Sequence, residues 1–478
     1  MNLRFQIETI FATRTQTTTT SRALECTLDA ALRCDCDALV EWLTFISKRK
    51  LKLKLRNLPS PDQNAGGYDS LGFASPLTNH AAARKFMSNS IHILHVTQSA
   101  GAAGGGVAKY IWDLDAWLRA HSAASAKQNT ITSRVIACDT CGHADNTSAT
   151  VLARKWPAFL GRTDIAQWLQ QLEVKPNIIH IHGLRCYHNA QAAAWAARNN
   201  IPVVITPHAQ LMPFTMARNA LQKNIYDTFV ERPMLARANA VHFVSQVERN
   251  DSAYANITAN KSVVVPIGMN RAQWIDIAPQ IIDTLDNTLN NALNNTHPLI
   301  AFFGYLSYRK GLDLLIDALP AILARQPTAR LVIAGGDTDN ISHELQQRAN
   351  ALGISNNITW LPNITRAQAR WLLERADCFA LPSRAESFSI GILEALSLGT
   401  SVVASRESTW DTLQQQGFGF NCALTAHSVA QCILQVLDTD RATRQQQRAS
   451  IAARIQSEFT WDICGAKMLD LYQQLLAQ

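Results

Sequence analysis

Pro382-Ser-Arg-Ala-Glu-Ser-Phe-Ser-Ile-Gly-Ile-Leu-Glu-Ala-Leu-Ser-Leu-Gly-Thr-Ser-Val-Val-Ala404 is the stretch that decides how this chain folds. The apolar run before it, Cys378–Leu381, reads as a buried strand that Pro382 stops. Ile390–Leu398 reads as a helix ended by Gly399, and Ser401–Ala404 as the next strand. This strand–loop–helix–strand unit carries two carboxylates, Glu386 on the loop and Glu394 in the helix. Were the whole stretch helical, their offset would give about 12 Å of rise and about 80° beyond two full turns. Two carboxylates so spaced can hold the two ends of an elongated polar ligand. Each alone has a plainer reading, as a solvated helix face or as an acid favouring a helix N-terminus.

The same alternation extends in both directions. Ile91–Val96 reads as a short strand, Thr97–Gly106 as a loop with glycines at 101, 104, 105 and 106, and Val107–Leu118 as an amphipathic helix. A strand, a glycine-rich loop and a helix can cradle phosphate, because backbone N–H groups come close and the helix N-terminus is positive. The loop does not spell the dinucleotide fingerprint, and no Walker lysine follows it. Strands at Arg134–Cys138, Ile178–His182, Val203–Thr206, Val241–Ser245 and Val263–Pro266 alternate with helices at Ile165–Leu172 and Ala190–Arg198. That pattern predicts βαβ units and a parallel sheet, with ligands beyond the carboxyl ends of the strands. His182 and His208 lie at such ends; each can also be read as a hydrogen-bonded residue without a role in chemistry. Asp283–His297, rich in Asn and Thr, reads as a linker or surface excursion. A second set of strands follows at Leu299–Phe303, Leu331–Ala334, Ile358–Leu361 and Cys378–Leu381. The segment after the first of them, Gly304-Tyr-Leu-Ser-Tyr-Arg-Lys-Gly-Leu312, places Arg309 and Lys310 just before a helix, where cations suit a diphosphate.

At 478 residues the chain has room for two domains with full cores, and 47% hydrophobic with 17% charged residues is ordinary for a globular protein. No window is long and apolar enough to predict a transmembrane helix, and the N-terminus does not read as a secretory signal. Ten cysteines without pattern point to a reducing compartment. Cys138 and Cys141 have redox or metal spacing but no second pair, and read as plain thiols. A net charge of +7 suits anionic partners without naming one. Residues 1–89 read as a poorly ordered or partly helical extension with a Thr/Gln run at Thr15–Thr20. Within it Lys48–Arg56 is densely basic, which suits either a solvated tail or contact with anionic lipid.

Pro-Ser, Glu386, Glu394-Ala, Gly399 and the Val-Val strand together resemble the signature of the retaining glycosyltransferases of family 4. The resemblance spans roughly Ser90–Gln478 and implies a GT-B fold: two Rossmann-like domains facing each other across a cleft, with a C-terminal helix crossing back to the first. The domains then fall at 90–275 and 299–458, joined by 276–298, with 459–478 as the returning helix. By resemblance Glu386 meets the transferred sugar and Glu394 the ribose, and the loop Glu386-Ser387-Phe388 leads the donor to the following helix. Gly105 and Gly106 match the family's Gly-Gly-Val loop and would contact the donor phosphates. Lys310 matches the family's Lys-Gly step, while Tyr305 stands where an Arg is usual, leaving Arg309 to supply that contact. Pro362-Asn363 departs from a position that is often Gly. Thr206-Pro-His-Ala-Gln-Leu-Met-Pro-Phe214 is similar to a segment of a polysaccharide-building branch, which places His208 near the donor sugar.

The resemblance therefore implies a cytoplasmic enzyme, with peripheral contact at the inner face of the plasma membrane as the alternative, moving a hexose from a nucleoside diphosphate sugar to a glycan or lipid-linked acceptor. No cofactor, metal or nucleic acid is expected. Asp-x-Asp occurs at Asp35, Asp337 and Asp438, in contexts that read as structural. A non-catalytic sugar-nucleotide-binding subunit and a sugar-nucleotide epimerase on the same fold stay open.

Overall fold

The computed structural model describes residues 90–101, 104–124, 130–139, 149–152, 163–270, 274–279, 297–337 and 339–478. The N-terminal extension with Asp35 and the basic stretch, Cys141, and nearly all of the Asn-rich linker lie outside these residues.

Two parallel sheets organise the described chain. The first contains β1 (Ser90–Ser99), β2 (Thr130–Asp139), β3 (Ala149–Val151), β4 (Ile178–His182), β5 (Val203–Thr206), β6 (Ala240–Phe243) and β7 (Ser262–Val264), in the order β3-β2-β1-β4-β5-β6-β7. The second contains β8 (Leu299–Phe303), β9 (Arg330–Ala334), β10 (Ile358–Leu361), β11 (Cys378–Leu381), β12 (Ser401–Ser405) and β13 (Gly419–Cys422), in the order β10-β9-β8-β11-β12-β13. Every pairing is parallel. Helices cover both faces, so central strands such as β4 and β11 are buried throughout. In the helix Leu312–Arg325 the apolar residues Leu312, Leu315, Ile316, Leu319 and Ile322 recur at helical spacing and are all buried. Truncating one of them, as in Leu319→Ala, costs about 2–5 kcal/mol at a site that cannot collapse.

Strand order reverses between β1 and β4 in the first sheet and between β8 and β11 in the second. Loops leaving neighbouring strands at such a point splay to opposite faces and leave a crevice, the usual seat of a ligand. At the carboxyl ends of β1, β4, β8 and β11 stand Gly105, opening the following helix, His182, closing β4, and Lys310 and Glu386 on the connecting turns. Fold and candidate site thus coincide.

The helix Arg441–Glu458 packs on Ile390–Ser397, and the chain then returns to the first sheet. Met269 N–H donates to Phe459 O at 2.7 Å, and the helix Trp461–Leu476 lies along Gly105–Ala124. Trp117 Nε1 donates to Asp462 at 3.1 Å. The resemblance anticipated this crossing.

Several details differ from expectation. The first helix runs Gly105–Ala124, so Gly105 and Gly106 form its opening turn rather than the end of a loop. Glu386 and Glu394 share no continuous helix: the chain stays irregular until Ser389, whose φ is +60°, and turns helical only at Ile390. The estimate of 12 Å by helical rise therefore does not apply. The edge strands β3 and β13 and the helical segments Pro213–Ala217, Ala220–Tyr226, Asp227–Glu231 (a π turn) and Arg232–Arg237 were not anticipated.

Candidate active site

Lys310 ends a short 3-10 turn, Tyr308–Lys310, after β8. Gly311 follows it with φ +69°, and a Cβ there would stand 2.0 Å from Pro382 O. Only glycine lets this turn lie against the loop after β11. Arg384 staples the two loops together. Its guanidinium makes a two-pronged pair with Asp313 at 2.9 and 2.7 Å and donates to Tyr308 O at 2.6 Å, while its own N–H donates to Arg309 O at 2.7 Å.

The staple brings Lys310 Nζ to 2.6 Å from Glu386 Oε1. Ser383 Oγ donates to the same oxygen at 3.0 Å, and Arg309 Nη1 lies 3.9 Å from Glu386 Oε2. Burial alone would push the Glu386 carboxyl up. The Lys310 and Arg309 charges and the two hydrogen bonds outweigh it, and the group sits below its ordinary value as a carboxylate. Ser387 is half-buried beside it. Phe388 turns away from the loop's open side. Its ring is buried against Trp410 and Phe459, and its carbonyl accepts from Trp410 Nε1 at 2.6 Å. Any contact it makes with a ligand is therefore through main chain.

Across the crevice, a Cβ on Gly105 (φ +51°) would meet the Tyr305 ring at 3.2 Å, and one on Gly106 would meet Ile390 at 3.7 Å. The two switch points face each other at that approach. One turn further on, Lys109 pairs with Asp113 at 2.7 Å and acts electrostatically on Glu394. Burial raises the Glu394 carboxyl, Lys109 and Arg366 pull it down and Asp113 pushes it up, and the net shift is upward. The helix around Glu394 is tied by Trp274 Nε1, which donates to Glu394 O at 3.2 Å and Ser397 Oγ at 2.9 Å. Lys109, Asp113 and Arg384 were missed by sequence reasoning. The i, i+4 spacing of Gly105, Lys109 and Asp113 was the available signal for the first two.

His208 stands after β5 in a left-handed conformation, φ +51°, followed by Ala209 at +61°. Two consecutive non-glycine residues there are strained, at about 1–3 kcal/mol each, and need support. Glu248 supplies it: its carboxylate accepts from Ala209 N–H and, at 3.0 Å, from Val244 N–H, while its own N–H bonds Ser245 Oγ at 3.0 Å. Behind His208 lie four buried histidines. His208 Nε2 is 3.3 Å from His182 Nδ1, and His182 Nε2 is 3.0 Å from His95 Nδ1. His180 joins Tyr472 Oη at 2.7 Å and Thr206 Oγ1 at 2.7 Å, and Thr206 joins His242 Nδ1 at 2.8 Å. Burial lowers the basicity of all five rings, to about 3 for His208 and about 4 for His95 and His242, so they are neutral at pH 7.

Among the described residues, His95, His180 and His182 are the one group whose donor atoms approach closely enough to hold a metal. A metal there would have to displace bonds these rings already make to one another, to Tyr472 and to Thr206. Asp337 accepts from Ile341 N–H and Ser342 N–H at 2.8 and 3.0 Å, capping a helix, and Asp438 pairs with Arg325 at 2.8 Å. Cys138 and Cys186 are buried and not joined by a disulfide, with sulfurs 3.8 Å apart.

Two facing parallel sheets with cations and carboxylates at both switch points make a transferase of nucleotide-linked groups the class to compare. Residues 105–268 match the Glycosyl transferase 4-like domain, and residues 286–454 match Glycosyl transferases group 1. A D-inositol 3-phosphate glycosyltransferase of Jonesia denitrificans is 28% identical over 315 residues, which is 62% of this chain and 72% of that one. Alpha-maltose-1-phosphate synthase of Mycobacterium tuberculosis is 25% identical over 322 residues, or 63% and 79%. HepE of Anabaena, whose crystal structure was determined with UDP and glucose, superimposes with a TM-score of 0.64 over 80% of this chain and 100% of its own, at 18% identity. The chain is a glycosyltransferase with the GT-B fold.

Proposed function

We propose that this enzyme transfers a hexose, with retention of anomeric configuration, from a nucleoside diphosphate sugar to a glycan or lipid-linked acceptor in surface polysaccharide biosynthesis. The observation that carries the reading is the Lys310–Glu386 pair at the second switch point, opposite Gly105 and Gly106 at the first. A cation and a carboxylate 2.6 Å apart suit the junction between a diphosphate and its sugar, one group matching each side. Lys310, Arg309 and the helix N-termini at Gly105 and Ile390 neutralise charge on the departing diphosphate without requiring a metal. Glu386 takes hydroxyls of the transferred sugar and Glu394 those of the ribose. His208 meets the sugar from the first domain. In this account the C1–O bond to the diphosphate breaks as the acceptor oxygen bonds C1 on the same face. The leaving phosphate oxygen takes the acceptor proton, so the protein orients and stabilises rather than attacks. The solved relative with UDP and glucose supports a nucleotide-sugar donor. The polysaccharide role rests on the Thr206–Phe214 resemblance, and contact with anionic membrane on the basic stretch Lys48–Arg56.

The test supplies UDP-glucose, UDP-galactose and GDP-mannose separately, with and without a bacterial membrane-lipid extract. Nucleoside diphosphate release and product configuration are followed by NMR. Release that requires the extract, with an α-configured product from an α-configured donor, is expected. An epimerised donor without nucleotide release would identify an epimerase. Raised melting without consumption of any donor would identify a binding subunit.

A further inference from the structure

The ring nitrogens behind His208 leave only two ordered arrangements of protons. Each neutral imidazole carries one N–H, and each ring-to-ring bond needs one donor and one acceptor. In the first arrangement His95 Nδ1–H donates to His182 Nε2, His182 Nδ1–H donates to His208 Nε2, and His208 keeps its proton on Nδ1. In the second both bonds run the other way, and His95 must carry its proton on Nε2. That nitrogen is fully buried and has no hydrogen-bond partner. A buried N–H without an acceptor is a heavier penalty than a buried lone pair without a donor, and buried orphan donors are correspondingly rarer. The first arrangement is therefore favoured. His208 is half-buried with its Nε2 engaged by His182, and its Nδ1 makes no hydrogen bond to the described residues, so this is the end of the chain left for a ligand.

We propose that His182, itself fixed by His95, is a positioning residue that sets the tautomer of His208, so that His208 presents Nδ1–H to an oxygen of the bound sugar and acts as a neutral hydrogen-bond donor. This rests on the reading of His208 as a donor-sugar contact. Burial keeps the three rings uncharged. The other groups around the relay act on its shape. Tyr110 sits edge-on to both His182 and His208, with ring centroids at 5.7 and 5.5 Å. His180 packs tilted against His182, with ring centroids 4.0 Å apart, and its own nitrogens are engaged by Tyr472 and Thr206. Glu248 holds the left-handed turn that aims the His208 ring. Sequence alone gave His182 and His208 separately, as two strand-end histidines. Their connection appears only because β4 and β5 are paired in register, His182 beside Thr206, two residues before His208.

The experiment is long-range proton–nitrogen NMR on the full chain labelled with ¹⁵N-histidine, with the His208 signals assigned by their loss in His208→Asn. An Nδ1–H tautomer for His208 is expected at pH 7.5, and an Nε2–H tautomer overturns the proposal on the wild-type protein alone. Two variants give the functional readout. His182→Asn keeps a donor near the position of Nδ1 and should retain the tautomer and kcat/KM within about threefold. His182→Phe removes the donor and should lose about tenfold in kcat/KM, the effect of about 1.4 kcal/mol, with a mixed His208 tautomer. In a His208→Ala background His182→Phe should have no further effect. If His208→Ala leaves turnover unchanged, the donor-sugar reading of His208 fails. If His208→Ala is impaired but His182→Phe is as active as wild type, the tautomer proposal fails and that reading survives.

Discussion

Removing one phenolic oxygen from the returning C-terminal helix should weaken the molecule in a way that reports how it is closed. Tyr472 is fully buried, and its Oη lies 2.7 Å from His180 Nδ1. The direction of that bond follows from the far end of its chain. His242 Nε2 lies 2.8 Å from the Val265 carbonyl, which can only accept, so His242 carries its proton there and accepts at Nδ1 from Thr206. Thr206 Oγ1 then accepts from His180 Nε2–H, and His180 Nδ1 accepts from Tyr472 O–H. Tyr472→Phe leaves His180 Nδ1 buried without a donor, at a cost of about 1–3 kcal/mol. For a unit running from Ala82 to Gln478, unfolding entropy of about 2.1 cal/mol/K per residue makes that about 1 °C of melting temperature per kcal/mol. Tyr110→Phe is the matched control. Its hydroxyl is also buried but has no partner, so its loss should be neutral or mildly stabilising. Differential scanning fluorimetry and urea denaturation on the two variants give the comparison. Equal effects, or a Tyr110→Phe loss larger than that of Tyr472→Phe, would refute the ordered chain.

The two glutamates should differ in kind. Glu386→Ala lowers turnover, whereas Glu394→Ala chiefly raises KM for donor, because ribose contacts change little on the way to the transition state; equal small effects in steady-state kinetics would leave both as structural carboxylates outside the chemistry. Arg384→Ala, which touches neither carboxylate, should lower turnover at least tenfold by unpinning Lys310 from Glu386, and unchanged kinetics would show the staple to be dispensable. His188 is buried and its basicity falls to about 4 from 6.5. The unfolded chain therefore binds the extra proton below pH 6.5, so the contribution of His188 to stability is complete above 6.5 and lost as pH falls from there towards 4. His188→Asn should remove up to about 1.4 kcal/mol per pH unit of that acid sensitivity in denaturation curves between pH 6.5 and 4.5, and parallel curves for the two proteins would count against it.

Much of the frame was legible because its signals are local. Apolar runs punctuated by Pro382, Gly399 and their counterparts marked nearly every central strand within one to four residues. The strand-end positions of Glu386, Lys310 and His208 followed from those boundaries. The edge strands β7 and β10 were anticipated, whereas β3 (Ala-Thr-Val) and β13 (Gly-Phe-Asn-Cys) were missed because no apolar run announces them. The helical segments between β5 and β6 were missed because they are short and broken, and they are held by Arg185 and Asp227, paired at 2.7 Å across 42 positions. The Arg384 staple and the histidine relay are likewise contacts between distant segments. Pattern along the chain does not encode which side chains meet when two strands pair. Phe388 shows the converse: its place in the motif marks the loop correctly, but the ring itself belongs to the packing around Trp410.

The central claim is that protein cations and helix ends, with Lys310 foremost, carry the diphosphate of a sugar donor. Nucleoside diphosphate release by the wild type and by Lys310→Ala, each with and without EDTA, tests it most directly. The account predicts that EDTA leaves the wild type nearly unchanged and that Lys310→Ala loses about 10²–10³ in turnover, the scale for one preorganised charge-stabilising donor. Wild-type activity that vanishes in EDTA and returns with manganese, while Lys310→Ala stays active, would contradict it.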